Sequence, residues 1–265
     1  MIKIYYFSGT GNTLWSAKKI AEIIGGETGR PDDIELFNIG IEAQKEEIVL
    51  EADAVILLFP SYGYGLPVVV RRFVQKAEFK TPHVASFVTY GSSPGGTMSG
   101  LSLILKKKGV GKVFFDRIPA VENYIPLFGA QKEETIQQRL EMQKEKTEAA
   151  ARSVIEKQTN RVNIFRPFSA FVWCLFTLGM KIFYKYFRVS AECDGCGVCE
   201  KVCPVSAVSI REARPVFSSK CEHCQACLNW CHKNAIHFGR LKEGVPRYRH
   251  PEIALAEMEK RNGTS

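Results

Sequence analysis

Residues 2–20 read IKIYYFSGTGNTLWSAKKI. Residues 2–7 are an apolar run of strand length, residues 8–13 are glycines, hydroxyl residues and one asparagine, and residues 14–24 place apolar side chains at helical spacing. A strand, a glycine-rich turn and a helix in succession open a β-α unit. The turn also has chemistry of its own. Its glycines let a ligand approach the backbone, and the N–H groups of a helix N-terminus favour a phosphate. The hydroxyls of Ser8, Thr10 and Thr13 add neutral hydrogen bonds. No lysine follows the glycines and position 14 is leucine, so neither the nucleotide-hydrolase loop nor the dinucleotide fingerprint fits. ATP and NAD are excluded at this loop.

Four further apolar runs, 34–39, 54–59, 84–90 and 113–118, read as strands, and 67–77, 101–108 and 132–157 read as helices. Strands that are apolar throughout suit a parallel sheet covered on both faces. The alternation predicts an α/β domain over 1–158, a doubly wound five-stranded parallel sheet. The third strand runs into Pro60-Ser61-Tyr62-Gly63-Tyr64-Gly65-Leu66-Pro67, and the fourth, after Tyr90, into Gly91-Ser92-Ser93-Pro94-Gly95-Gly96-Thr97. At the switch point of the sheet these two loops meet the first. An aromatic, glycine-flanked loop beside a phosphate cradle suits a planar ring with a phosphate tail, stacked on Tyr62 or Tyr64.

Eight of the nine cysteines fall in CDGCGVCEKVCP (193–204) and CEHCQACLNWCH (221–232), one pattern repeated at a constant offset of 28. The exact repeat implies two half-sites related by a pseudo two-fold axis. In this spacing three thiolates wrap one cluster and the fourth ligates the other. One cluster then takes Cys193, Cys196, Cys199 and Cys231, and the other Cys221, Cys224, Cys227 and Cys203. Zinc also accepts four thiolates, but its sites show paired knuckles with a long spacer. His232 departs from the repeat, standing where Pro204 leads one to expect proline. It either replaces a turn residue at the surface or sets a group that titrates near neutrality beside the first cluster. Clustered cysteines with no signal-peptide pattern ahead of them point to a reducing cytoplasm.

The net charge of +8 is local, with +5 of it in residues 131–189, so the basic stripe of a nucleic-acid binder is absent. Residues 162–187 hold nine of the 29 aromatic residues, and no acid occurs between Glu156 and Glu192. Phe168, Phe171, Leu175, Leu178, Ile182 and Tyr186 recur at helical spacing, with Arg166, Lys181, Lys185 and Arg188 towards the ends. The uncharged run 167–180 is 14 residues, short of a bilayer span, so no transmembrane segment is expected. This connector, 159–189, either packs between domains or across a homodimer, or binds a membrane surface peripherally. Cys174 within it is expected to be buried. Residues 241–265 read as a polar tail with a helix near 252–260.

Residues 1–158, with SGTGNT and the two later loops, resemble a flavodoxin, and 190–240 resemble the bacterial two-cluster ferredoxins. The order of the parts resembles the flavodoxin-ferredoxin fusion proteins. That resemblance implies a flavodoxin-like domain followed by a smaller α+β ferredoxin domain with two [4Fe-4S] clusters. It also implies FMN held by Ser8, Gly9, Thr10, Gly11, Asn12, Thr13, Pro60, Ser61, Tyr62, Gly63, Tyr64, Tyr90, Gly91, Gly95 and Gly96. Asn123 and Tyr124, after the fifth strand, either approach the flavin or serve as cap and core. The function implied is electron transfer between the clusters and FMN, a low-potential junction of one-electron and two-electron chemistry served by redox partner proteins. The competing reading is an FMN-dependent reductase of a small acceptor such as a quinone, fed by its own clusters. No catalytic acid, base or substrate anchor stands out beside the loops, which favours the carrier. Anaerobically purified protein is expected to hold about eight irons and eight sulfides per chain by metal analysis, and stoichiometric zinc without sulfide would refute the iron-sulfur reading.

Overall fold

The computed structural model describes residues 1–162, 167–241 and 244–259. Arg166 of the connector and residue 260 of the expected tail helix lie outside the described residues. The first part runs β1 (Ile2–Tyr6), α1 (Asn12–Thr28), β2 (Ile34–Asn38), α2 (Ile39–Glu42), β3 (Val49–Glu51), β4 (Ala54–Pro60), α3 (Val68–Lys76), β5 (Glu78–Lys80), β6 (Val84–Tyr90), α4 (Thr97–Lys107), β7 (Val113–Pro119), α5 (Ile125–Phe128) and α6 (Glu133–Ile155). Five of these strands pair in parallel in the order β2-β1-β4-β6-β7. Counted along the chain that order is 2-1-3-4-5, the flavodoxin-like winding, with the switch point between β1 and β4.

The apolar runs are explained by burial on two sides. On one face Ile4, Ile56, Leu58 and Phe87 pack with Ala17, Ile20 and Ile24 of α1 and Ala150, Ala151 and Val154 of α6. On the other, Tyr5, Leu57, Phe59 and Val88 pack with Val70, Phe73 and Val74 of α3 and Leu101 and Leu105 of α4. Each fully buried side chain of this size contributes about 1.5–3 kcal/mol. The short parallel ladder of β3 with β5, Val49–Glu51 against Glu78–Lys80, is an addition to the expected strands. Its half-charged three-residue segments carry no legible periodicity.

The second part runs α7 (Pro167–Phe183), β8 (Phe187–Val189), α8 (Val198–Lys201), β9 (Val208–Arg211), β10 (Arg214–Phe217), α9 (Ala226–Trp230), β11 (Ile236–Phe238) and α10 (Leu255–Glu259). Strand β9 pairs with β10 and β8 with β11, both antiparallel. The cysteine repeat extends to the backbone: Gly195 and His223, Gly197 and Gln225, and Ser206 and Asn234 all have positive φ. Each pair is 28 residues apart. Histidine and glutamine therefore adopt the left-handed conformation that glycine adopts easily in the first half.

The two parts share a packed seam. Trp230 Nε1 donates to the Gly9 carbonyl at 3.1 Å, and the Glu222 carboxylate accepts the Val68 and Val69 N–H groups at 2.8 Å each. The segment after 244 is a strap, unlike the solvated tail its composition suggests. Tyr248 Oη donates to Asn12 Oδ1 at 2.7 Å, the His250 N–H donates to the Thr10 carbonyl at 2.9 Å, and the His250 ring stacks on Trp15. Lys18 pairs with Glu257 of α10. Helix α7 lies against the loop after β4, Trp173 Nε1 donating to Leu66 O at 2.8 Å, while its opposite side is exposed. Cys174 lies on the exposed side, correcting the expectation of burial. It occupies a turn position away from the inner residues Trp173, Phe176 and Met180.

A methyl group on Gly9 would overlap the Cys224 carbonyl oxygen, whereas one on Gly26 of α1 meets nothing. Gly9→Ala is expected to cost about 1–3 kcal/mol in denaturant unfolding, and Gly26→Ala to add about 0.5–1 kcal/mol.

Candidate cofactor-binding sites

The strand carboxyl ends surround a cavity of about 450 Å³, within the usual range for a small-molecule site. Of the fifteen flavin candidates, Ser8, Gly9, Thr10, Asn12, Thr13, Pro60, Ser61, Tyr62, Gly63, Tyr64, Tyr90 and Gly91 line it. Gly11, Gly95 and Gly96 do not. Gly11 caps α1 with φ 98° and faces His250 and Ile253, so its glycine serves the turn and the strap. Gly95 and Gly96 buttress the tyrosine loop, the Gly96 N–H donating to Tyr64 O at 2.9 Å.

The hydroxyls of the first loop are buried and already oriented. Gly11 N–H donates to Ser8 Oγ at 3.2 Å, Asn123 Nδ2 donates to Thr10 Oγ1 at 2.6 Å, and Thr13 and Thr89 share a 2.8 Å hydroxyl bond. With the unpaired N–H groups of the first turn of α1, they form a cradle that carries no acidic side chain. Tyr62 Oη is buried without a hydrogen-bond partner, and burial raises its pKa well above the ordinary value, so it remains a neutral phenol. Asn123 and Tyr124 also line the cavity, as do Val172 and Phe176 of α7 and His223 between the cysteines. The last three were not legible as cavity residues, because they come from segments that the pattern assigns to a connector and an iron site.

The cysteines gather in two groups. Cys193, Cys196, Cys199 and Cys231 face one small cavity, and Cys203, Cys221, Cys224 and Cys227 face another. Each set of three is thus completed by the fourth cysteine of the other repeat, as the spacing requires. Equivalent N–H groups reach equivalent sulfurs: Ala207 to Cys203 at 3.1 Å and Ala235 to Cys231 at 3.3 Å. Burial pushes the Cys199 and Cys221 thiols up to about 12, and those of Cys224 and Cys227 well above the ordinary value. A metal must therefore displace protons that these sites otherwise hold firmly. His232 is exposed, its Nε2 2.9 Å from Asp194 Oδ2 and its Nδ1 3.9 Å from Cys196 Sγ, so it stands beside the first set.

His223 joins the cavity at the strand carboxyl ends to the second set. It is 1% exposed, neither ring nitrogen has a partner, and it lies between Cys221 and Cys224 while facing the cavity. Burial lowers its pKa to about 4, so the imidazole is neutral at pH 7. Phe183, Phe187 and Phe238 surround its ring at 5.2–5.8 Å.

Comparison with known families places a 4Fe-4S dicluster domain over residues 151–236. Curated proteins give no match. Among solved structures, a Streptococcus pneumoniae flavodoxin is 16% identical over 59% of this chain and 99% of its own, with a TM-score of 0.37. Two-electron reduced Megasphaera elsdenii flavodoxin is 24% identical over 57% and 99%, with a TM-score of 0.35. A Fusobacterium nucleatum flavodoxin bound to flavin mononucleotide is 17% identical over 56% and 97%, with a TM-score of 0.32. At such values the strand order, and not the superposition, establishes the flavodoxin-like fold. The chain is an iron-sulfur protein with a flavodoxin-like domain in front of its cysteine module. It fits a flavodoxin-ferredoxin fusion.

Glu222, at the seam, has its pKa raised from 4.5 to about 7 by burial, against the two N–H bonds and Arg72, which lower it. A raised carboxyl favours the protonated folded state. Its contribution is therefore full below the unfolded value and is lost as pH rises through about 7. Urea unfolding between pH ~5 and ~8 is expected to show this decline, and Glu222→Gln to flatten it.

Proposed function

We propose that the chain is an internal electron-transfer protein in which two [4Fe-4S] clusters exchange electrons with FMN. The observation that carries this reading is His223, whose ring lines the flavin cavity and whose neighbours in sequence are ligands of the second cluster. The second cluster, held by Cys203, Cys221, Cys224 and Cys227, is then the flavin's immediate neighbour, and the first is the entry or exit towards redox partners. The donor set fits both groups: thiols gathered four by four with N–H donors to sulfur, and a hydroxyl-lined cradle at a helix N-terminus below tyrosines. FMN, when bound, accepts one or two electrons and so joins the two kinds of chemistry.

In this reading the protein's own groups hold and shield. Thr10, Thr13 and the N–H groups of α1 bind the phosphate end, and Tyr62 or Tyr64 takes the ring. Val172 and Phe176 of α7 limit the access of water to the cavity. His223, neutral and unpartnered, offers one donor and one acceptor to the flavin's polar edge.

The test is rapid-mixing absorbance with a reduced ferredoxin as donor. Replacing Cys196 and Cys224 together by alanine is expected to slow flavin reduction by that donor by at least ~10-fold, with reduction by a small chemical reductant unchanged. An unchanged rate with the protein donor would mean that the clusters are not the flavin's feed.

A further inference from the structure

Helix α7 has two faces of different character. The inner one is engaged, with Trp173 bonded to Leu66 O and lying under the Arg71 guanidinium at 4.9 Å, and Phe176 packed against Gly63. The outer one is a single apolar stripe: Phe168, Phe171, Leu175, Leu178 and Ile182 are 51–73% exposed. They recur every three or four residues and so share one side of the helix. A contiguous exposed stripe of this size marks an interaction surface.

The charges carried by α7 and by the cavity beside its first turns are basic. Lys181 and Lys185 are exposed beside it. Arg71, Lys107 and Lys108 line an adjoining cavity of about 460 Å³ that Ser169, Ala170 and Trp173 help to close. No acid lies between Glu156 and Glu192. We infer that α7 docks this protein on an anionic lipid bilayer, lying in the plane of the interface with its outer stripe among the acyl chains.

Charge and packing select this occupant. A second copy would bring an identical stripe and identical lysines, with no acid on its own helix to neutralise them. A bilayer with anionic headgroups supplies both the apolar layer and the opposite charge. The stretch Pro167–Tyr186 is long and apolar enough to cross a membrane, which the shorter uncharged run did not reveal. Spanning, however, would strip Trp173 and Phe176 from the loop after β4, whereas lying flat preserves both contacts. Leu127 and Phe128, both exposed, line the same cavity as Phe176 on the inner side of the helix. This inference does not depend on the electron-transfer reading.

The experiment is flotation of the purified holo protein with vesicles of phosphatidylcholine alone or mixed equally with phosphatidylglycerol. At low salt the mixed vesicles are expected to retain at least ~10-fold more protein, and added salt to release it. Phe171→Ser with Leu178→Ser should abolish flotation. Lys181→Glu with Lys185→Glu should reduce it by at least ~30-fold, and both variants should keep the flavin absorbance. If the serine pair fails to fold, the lysine pair decides. Absence of wild-type flotation overturns the proposal. So does a lipid-free dimer dissolved by the serine pair, and so does bound protein that resists alkaline carbonate, which indicates a span.

Discussion

One buried carboxylate organises the seam between the two halves of the molecule. Glu222 follows the first cysteine of the second repeat and closes the N-terminus of α3 by accepting the Val68 and Val69 N–H groups. Those two donors lack intrahelical acceptors by the geometry of any helix start. A carboxylate at that end also meets the positive end of the helix dipole. The loop after β4 and the cysteine loop are consequently held by one side chain. Because Glu222 precedes His223 and Cys224, fixing it fixes the imidazole that reaches the cavity at the strand carboxyl ends and the carbonyl that abuts Gly9.

The two cysteine sets are related by sequence symmetry but not by environment. Cys196 of the first set is exposed, with His232 and Asp194 beside it, while of the second set Cys224 is buried in the core of the flavodoxin-like sheet and Cys227 within the core of the cysteine module. Burial and hydrogen bonds to sulfur are the main means by which a protein sets cluster potential. A symmetric ligand pattern placed in an asymmetric seam therefore yields two inequivalent sites without any change of ligand.

The sheet was legible because its strands are buried on both faces and so carry uninterrupted apolar runs, and its loops because glycine marks close approach. The cysteine sets were legible from spacing alone. His223 was not: its chemistry depends on a left-handed backbone that glycine occupies at the equivalent position 195. The strap was hidden for a related reason. Tyr248 and His250 act through single contacts to Asn12 and Thr10, and a polar composition does not distinguish a bonded side chain from a solvated one. The direction of α7's inner face was also illegible, since aromatic residues occupy both sides of the helix.

The raised thiols tie these features together. Burial raises the Cys221, Cys224 and Cys227 thiols, which leaves this set neutral while protonated, and a metal bound there would have to displace those protons. Since the same loop carries Glu222, His223 and the Gly9 contact, the second set of cysteines and the wall of the larger cavity draw on one set of residues. Metal-coupled ordering of such a loop contributes its binding free energy to folding. The seam contacts and one wall of the cavity thus belong to the same loop as the second set of cysteines, so a substitution there bears on both.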